Sequence, residues 1–112
     1  MYFTGVVKKG AQRGKELGFP TVNIPLTDAS VSGIYAARVK VGEETYEAAA
    51  YADKKGKVLE AHILDFDDDL YGWKITIELL KKIREDKKFP DESSLKEVIA
   101  ADIARIRSFF RK

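Results

Sequence analysis

Gly33-Ile34-Tyr35-Ala36-Ala37-Arg38-Val39-Lys40-Val41 is the stretch that decides the fold class, and Gly42-Glu43 follows it directly. A period of two puts Tyr35, Ala37, Val39 and Val41 on one face and Arg38 and Lys40 on the other, the pattern of a half-buried strand. Gly42-Glu43 reads as a tight hairpin turn into a second strand, Glu44 to Ala52, because glycine tolerates the positive φ such turns need. Downstream, Asp53-Lys54-Lys55-Gly56 is another turn signal. Beyond it Val58 to Phe66 and Trp73 to Leu80 form a further pair, with Trp73, Ile75, Ile77 and Leu79 aligned on one face. Upstream, Met1 to Val7 and Phe19 to Pro25 are strand candidates joined by a polar loop, Lys8 to Gly18.

The period changes near the end of the chain. Ser94-Leu95-Lys96-Glu97 matches a capping box, in which serine and glutamate satisfy the first free backbone N–H groups of a helix. Leu95, Val98, Ile99, Ile103, Ile106 and Phe110 then recur at three- and four-residue spacing, which predicts an amphipathic helix over about 93–110 lying against the sheet. Short antiparallel strands with one terminal helix predict a closed or nearly closed β-barrel over about 1–90, because closure removes exposed edges.

Composition narrows the function classes. The 112 residues are 45% hydrophobic and 34% charged, which suits one globular domain rather than two or a disordered tail. No apolar run is long enough to span a membrane, and Met1-Tyr2-Phe3-Thr4-Gly5 lacks the features of a secretory signal. Cysteine is absent, so disulfides and thiolate metal sites are excluded; a cytoplasmic location is the expectation. The net charge of +2, from 20 basic and 18 acidic residues, gives no electrostatic reason to expect nucleic acid.

Three regions carry candidate chemistry. The loop Gly10-Ala11-Gln12-Arg13-Gly14-Lys15-Glu16-Leu17-Gly18 has glycines that let backbone approach phosphate oxygens, with Arg13 and Lys15 as added charge. It is not a P-loop: the Gly10 to Gly14 spacing is one residue short, and Glu16 follows Lys15 where a Ser or Thr would stand. Next, Thr21 and Asn23 share one face of an extended segment. The residues alone leave open whether their oxygens address a hard cation or bond local backbone. In the strand from Val58, Glu60 and His62 face one way and Leu59, Ala61 and Ile63 the other. A lone strand glutamate is usually a solvated surface residue. His62 is the only histidine, so a histidine metal cluster is excluded and a structural or supporting role is expected. The run Asp65-Phe66-Asp67-Asp68-Asp69 lacks the glycine and distal glutamate of a calcium loop and reads as a solvated turn. Phe66, Tyr71 and Trp73 read as core or barrel-rim packing.

Gly5-Val6-Val7, Gly10, Arg13-Gly14 and Leu17-Gly18-Phe19-Pro20-Thr21-Val22-Asn23-Ile24 together resemble the opening of the riboflavin kinases, whose pattern ends in Pro-Thr-Ala-Asn. The likeness continues, in family order, through Gly33-Ile34-Tyr35-Ala36, Glu60-Ala61-His62-Ile63-Leu64-Asp65-Phe66, Asp69-Leu70-Tyr71-Gly72 and Ile83-Arg84-Glu85-Asp86-Lys87-Lys88-Phe89. The resemblance implies a six-stranded Greek-key barrel that transfers the γ-phosphate of ATP to the ribityl 5′-hydroxyl of riboflavin, giving FMN. It implies magnesium at Thr21 and Asn23, nucleotide contacts from Gly10, Lys15, Gly18 and Thr21, and Glu60 as general base. It assigns Arg84, Asp86 and Phe89 to a flap beside the flavin. Glu60 is expected across the barrel from Thr21 and Asn23.

Two segments depart from the family pattern. Ala48 to Gly56 stands where the family carries a longer Asn-Ile-Gly-x-x-Pro-Thr stretch, which predicts a compact hairpin. Pro90-Asp91-Glu92 replaces a short Ser-Leu-containing approach to the helix. The expected partners are riboflavin/FMN and ATP/ADP, without nucleic acid or membrane, and the expected state is a monomeric kinase domain with no fused adenylyltransferase. The competing reading is a flavin- or nucleotide-binding barrel without catalysis, and a small nucleic-acid-binding barrel ranks last.

Overall fold

The structure is a computed structural model that describes residues 1–9, 17–28, 30–55, 57–66 and 68–111. Six strands and one helix follow in chain order: β1 (Tyr2–Val6), β2 (Val22–Pro25), β3 (Gly33–Val41), β4 (Glu44–Asp53), β5 (Val58–Ile63), β6 (Lys74–Arg84) and α1 (Glu92–Phe110). All pairings are antiparallel, in the order β1-β6-β3-β4-β5-β2. The two end strands approach one another. Lys8 N–H donates to the Asn23 carbonyl at 2.9 Å, and a Cβ added at Gly5 would lie 3.0 Å from the Ile24 Cβ. Gly5 therefore lets β1 close against β2, and the sheet becomes a nearly closed barrel.

Alternation fills the interior. Ala37 and Val39 of β3, Leu59, Ala61 and Ile63 of β5, and Ile75, Ile77 and Leu79 of β6 are buried in one core. Ala48, Ala50 and Ala52 of β4 join it, small side chains facing larger ones as a tapering barrel requires. Strand alternation turns Ala36 out of the barrel while Tyr35 and Ala37 face in. Ala36 is thus free to meet the helix. Ile106, with Ile103, Phe109 and Phe110 at its sides, packs on Ala36, Ile34, Ala49, Ile83 and Leu64.

Several expectations need correction. Helix α1 is capped by Asp91, whose carboxylate accepts the Ser94 N–H at 2.8 Å; Ser94 lies inside the first turn and is not the cap. An ionised acid is the better partner for those N–H groups and for the positive end of the helix. Trp73 precedes β6 and is 54% exposed, so it does not share the inward face of Ile75, Ile77 and Leu79. Tyr71 is also exposed, while Phe66 packs on the core through Tyr46, their ring centroids 4.8 Å apart. Strand β5 ends at Ile63 because Asp65 takes φ +58°, and β6 runs on to Arg84. The extension of β6 carries the chain to residues 85–89, which have no regular structure.

Candidate functional site

A cleft of about 510 Å³ opens on the outer face of the barrel, between β4 and β5 on one side and α1 with residues 85–89 on the other. Its floor follows from strand parity. Leu59, Ala61 and Ile63 fill the barrel, so Glu60 and His62 point out into the cleft. Pairing then selects their neighbours. Asn23 lies opposite Glu60 in the β2–β5 ladder, and Tyr51 lies opposite Glu60 in the β4–β5 ladder. Paired residues share a face, so Asn23, Glu60 and Tyr51 form a row across three adjacent strands. Glu60 was expected across the barrel from Thr21 and Asn23; it stands instead on the neighbouring strand. The reason is that β2 pairs with β5 although they are far apart in sequence.

Thr21 Oγ1 donates to Glu60 Oε1 at 3.1 Å, which ties the segment before β2 to this carboxylate. Burial raises the Glu60 pKa, the Thr21 donation opposes that shift, and the negative charge of Asp53 adds to it. A carboxylate that holds its proton more tightly than usual, at the bottom of a cleft, is a stronger base than a surface glutamate. Thr21 and Glu60 line the cleft, and Asn23, only 6% exposed, lies buried beside Glu60; their hydroxyl, carboxylate and amide oxygens are a donor set suited to a hard cation. No group of three or more His, Asp or Glu able to hold a metal exists among the described residues. A cation here would therefore need most of its ligands from a substrate or water.

His62 holds the approach to Thr21. Its Nδ1 is 2.8 Å from the Pro20 carbonyl, and its ring meets Phe19 edge-on at 5.7 Å. That is the supporting role expected of it. Gly18, in a turn with Leu17, is exposed, while Leu17 is buried and lines the cleft. Gly10 and Lys15, the other expected nucleotide contacts, lie outside the described residues, as do Arg13 and Gly14 of the same loop.

The opposite wall contains the remaining expected residues. Arg84 ends β6 and is committed to Asp102 of α1: Nε is 3.0 and 3.1 Å from the two carboxylate oxygens and Nη2 is 2.7 Å from Oδ2. Its Nη1 donates to the Glu85 carbonyl at 3.0 Å. Asp86 accepts the Tyr51 hydroxyl at 2.8 Å and the Lys87 N–H at 2.8 Å. Phe89 lies between cations, with Arg84 5.8 Å and Lys87 5.6 Å from its ring centroid. Leu95, Ile99 and Ile103 complete the wall, so the first half of the helical apolar stripe faces the cleft and only the second half is spent on the sheet.

Tyr51 and Asp102 were missed from sequence. Asp102 had one signal: an acid between Ile99, Ile103 and Ile106, on the buried face of a helix, demands a partner. Tyr51 had none beyond its place in an alanine-rich strand. The run Asp65 to Asp69 behaves as a turn at its described positions, where Asp65 pairs with Arg107 at 3.0 Å and Asp69 accepts the Tyr71 N–H at 2.9 Å; Asp67 lies outside the described residues.

Comparison with known proteins adds to this geometry. A family model described as riboflavin kinase matches residues 1–110. A trifunctional protein, RibF/MnmA, of Mycoplasmoides gallisepticum is 41% identical over a match covering 99% of this chain and 18% of that protein. The bifunctional riboflavin kinase/FMN adenylyltransferase of Escherichia coli K12 is 38% identical, the match covering 96% of this chain and 37% of the relative. The chain thus spans well under half the length of either relative. Among solved structures, one described as a macrolide-efflux protein from Streptococcus pneumoniae has a TM-score of 0.81 and 29% identity, covering 95% of this chain and 38% of the other. The riboflavin kinase structure from Trypanosoma brucei has a TM-score of 0.75 and 24% identity, covering 99% of this chain and 77% of the other, and shares the fold.

Proposed function

Because the chain belongs to the riboflavin kinase family, we propose that it transfers the γ-phosphate of ATP to the ribityl 5′-hydroxyl of riboflavin, with Glu60 as the general base. One observation carries the assignment: a buried-side carboxylate of raised pKa, bonded by Thr21 and flanked across the ladder by Asn23, on the floor of the cleft.

Phosphoryl transfer asks a protein mainly to align donor and acceptor and to neutralise charge. Glu60 orients the attacking hydroxyl and takes its proton. Thr21 is well placed for a double duty, since its hydroxyl both fixes the Glu60 carboxylate and offers a lone pair to a cation. Magnesium, held by the Thr21 and Asn23 oxygens, would neutralise phosphate charge when bound with the nucleotide. Gly10, Lys15 and Gly18 are assigned to the nucleotide side. The apolar wall of Leu95, Ile99 and Ile103, with Phe89 on the flap, suits a flat aromatic ring system. Arg84, Asp86 and Phe89 belong to that flavin side in this reading. Arg84 serves it from the root of the flap, through Asp102. No helix among the described residues is long and apolar enough to cross a membrane, and the use of ATP fits a cytoplasmic location.

The test is incubation with riboflavin, ATP and magnesium followed by chromatography for FMN. The expected result is FMN that disappears when magnesium is omitted. Flavin or nucleotide binding without product would instead support a barrel that binds and does not catalyse.

A further inference from the structure

At the mouth of the cleft a hydrogen bond runs from one wall to the other. Tyr51 rises from β4 on the barrel side, and its hydroxyl donates to Asp86 Oδ2 of the flap at 2.8 Å. Tyr51 also lies opposite Glu60 in the ladder, so the tethered phenol stands beside the proposed base. We propose that Tyr51 is a positioning residue: its hydroxyl latches the flap through Asp86 at the mouth of the cleft and sets how long riboflavin stays bound. This rests on the kinase reading and extends it. Asp86 acts through Tyr51, not on the flavin itself.

Three observations support the latch. After Arg84 the chain leaves the sheet, and residues 85–88 are exposed and without regular structure. The flap is anchored at its root by Arg84 on Asp102, and further out, among the described residues, the Tyr51–Asp86 bond ties it to the opposite wall. Glu85 bonds elsewhere, to Lys82 of β6 and weakly to Ser32 at 3.5 Å. Second, a phenol donating to a carboxylate is a charge-assisted bond, stronger than a neutral pair. Burial and the Asp86 carboxylate push the Tyr51 pKa far above the ordinary phenol value, so the hydroxyl keeps its proton and remains a donor. Third, Tyr51 lies within Ala48–Gly56, where this chain departs from the family pattern. Here that stretch places a cleft-lining tyrosine on β4, paired with Glu60 and bonded to the flap.

The experiment measures riboflavin release by stopped-flow flavin fluorescence, with steady-state KM values, for the wild type, Tyr51→Phe, Asp86→Ala, the double variant and Asp86→Asn. Tyr51→Phe keeps the ring and its packing, and an unchanged melting temperature verifies that it folds. Each single variant should speed release about tenfold, the effect of losing one hydrogen bond to a charged group in a half-exposed setting. KM for riboflavin should rise without a parallel rise for ATP, a split that general loosening of the fold would not produce. The double variant should release no faster than the singles, and Asp86→Asn, which retains an acceptor, should lie closer to wild type. Unchanged release in Tyr51→Phe overturns the latch, and so does an additive double variant, because Asp86 would then act on the flavin directly. Wild-type protein that makes FMN while Tyr51→Phe behaves normally defeats only the latch. Wild-type protein that neither binds nor phosphorylates riboflavin defeats the kinase reading and the latch together.

Discussion

Replacing Asp102 by alanine should cost about 3–5 kcal/mol of stability, the range for removing one partner of a buried ion pair. The contacts justify that range. Arg84 meets the carboxylate at 2.7, 3.0 and 3.1 Å, and the two side chains are only 17% and 7% exposed. The screening that reduces surface pairs to about 0–1 kcal/mol does not operate there. Removing Asp102 leaves the guanidinium beneath the helix with the Glu85 carbonyl and the Phe89 ring as its remaining contacts. In a domain of roughly 100 residues each kcal/mol moves Tm by about 4–8 °C, so the melting point should fall by at least about 12 °C. Urea unfolding followed by far-ultraviolet circular dichroism reads the change; Trp73 fluorescence is a poor substitute because that ring is exposed. A second variant, Arg84→Met with Asp102→Leu, removes both charges. It should recover most of the loss, since well-packed apolar replacements of buried pairs are often neutral or stabilising. A cost for Asp102→Ala below about 1 kcal/mol would refute the reasoning, as would a double variant no more stable than the single one.

Glu60→Gln should leave the fold and riboflavin binding in place while lowering turnover by roughly 10²- to 10⁴-fold, measured as the rate of FMN formation; an unchanged kcat removes the base from the mechanism. The acid limb of the kcat–pH profile should lie above the ordinary glutamate value, because burial and Asp53 raise the Glu60 pKa. Thr21→Val should move that limb further up and Asp53→Asn should move it down; movement in the same direction contradicts the electrostatic account. The sign carries over to stability. The folded state holds this proton more tightly than the unfolded chain, so the stabilisation is complete below the unfolded pKa and is lost as pH rises through the folded one. Gly33→Ala should destabilise more than Gly42→Ala in urea titrations, although both glycines have positive φ. At Gly33 the new Cβ would lie 2.5 Å from the Arg84 carbonyl, whereas at Gly42 it meets nothing within 4 Å.

Strand parity made much of the architecture legible. The alternation in Gly33 to Val41 and Val58 to Ile63 sorts core from exterior because a strand has only two faces. Parity also put Thr21 with Asn23 and Glu60 with His62, but it could not say that these two pairs become neighbours. That depends on β2 pairing with β5, a contact between strands separated by the whole β3–β4 hairpin. Helix periodicity found the stripe from Leu95 to Phe110 and not its division between cleft and sheet. Local pattern reports that a face is apolar, and only tertiary packing decides what covers it. The cap was misplaced for a related reason: serine and aspartate both cap helices well, and two candidates three residues apart both precede the apolar stripe.

The barrel interior is filled by side chains, so a ligand can be held only on its outer face, where a second body must cover it. The second body consists of α1 and the flap, and Arg84 with Asp102 joins them at one point. In the kinase reading, chemistry resides on the barrel wall and substrate retention in the flap and its tie to Tyr51. Asn23 and Glu60 stand on paired strands whose backbone hydrogen bonds resist displacement, and Thr21, just before β2, is bonded to Glu60. Residues 85–89 have no ladder and depend on side-chain ties. In the kinase reading, changes at Thr21, Asn23 or Glu60 should then act on kcat, and changes at Tyr51, Asp86 or Phe89 on KM and release. A flap variant that lowers kcat without altering riboflavin binding or release would contradict this division. Its consequence for the reaction is that the base can stay fixed while the wall opposite opens to admit riboflavin and release FMN.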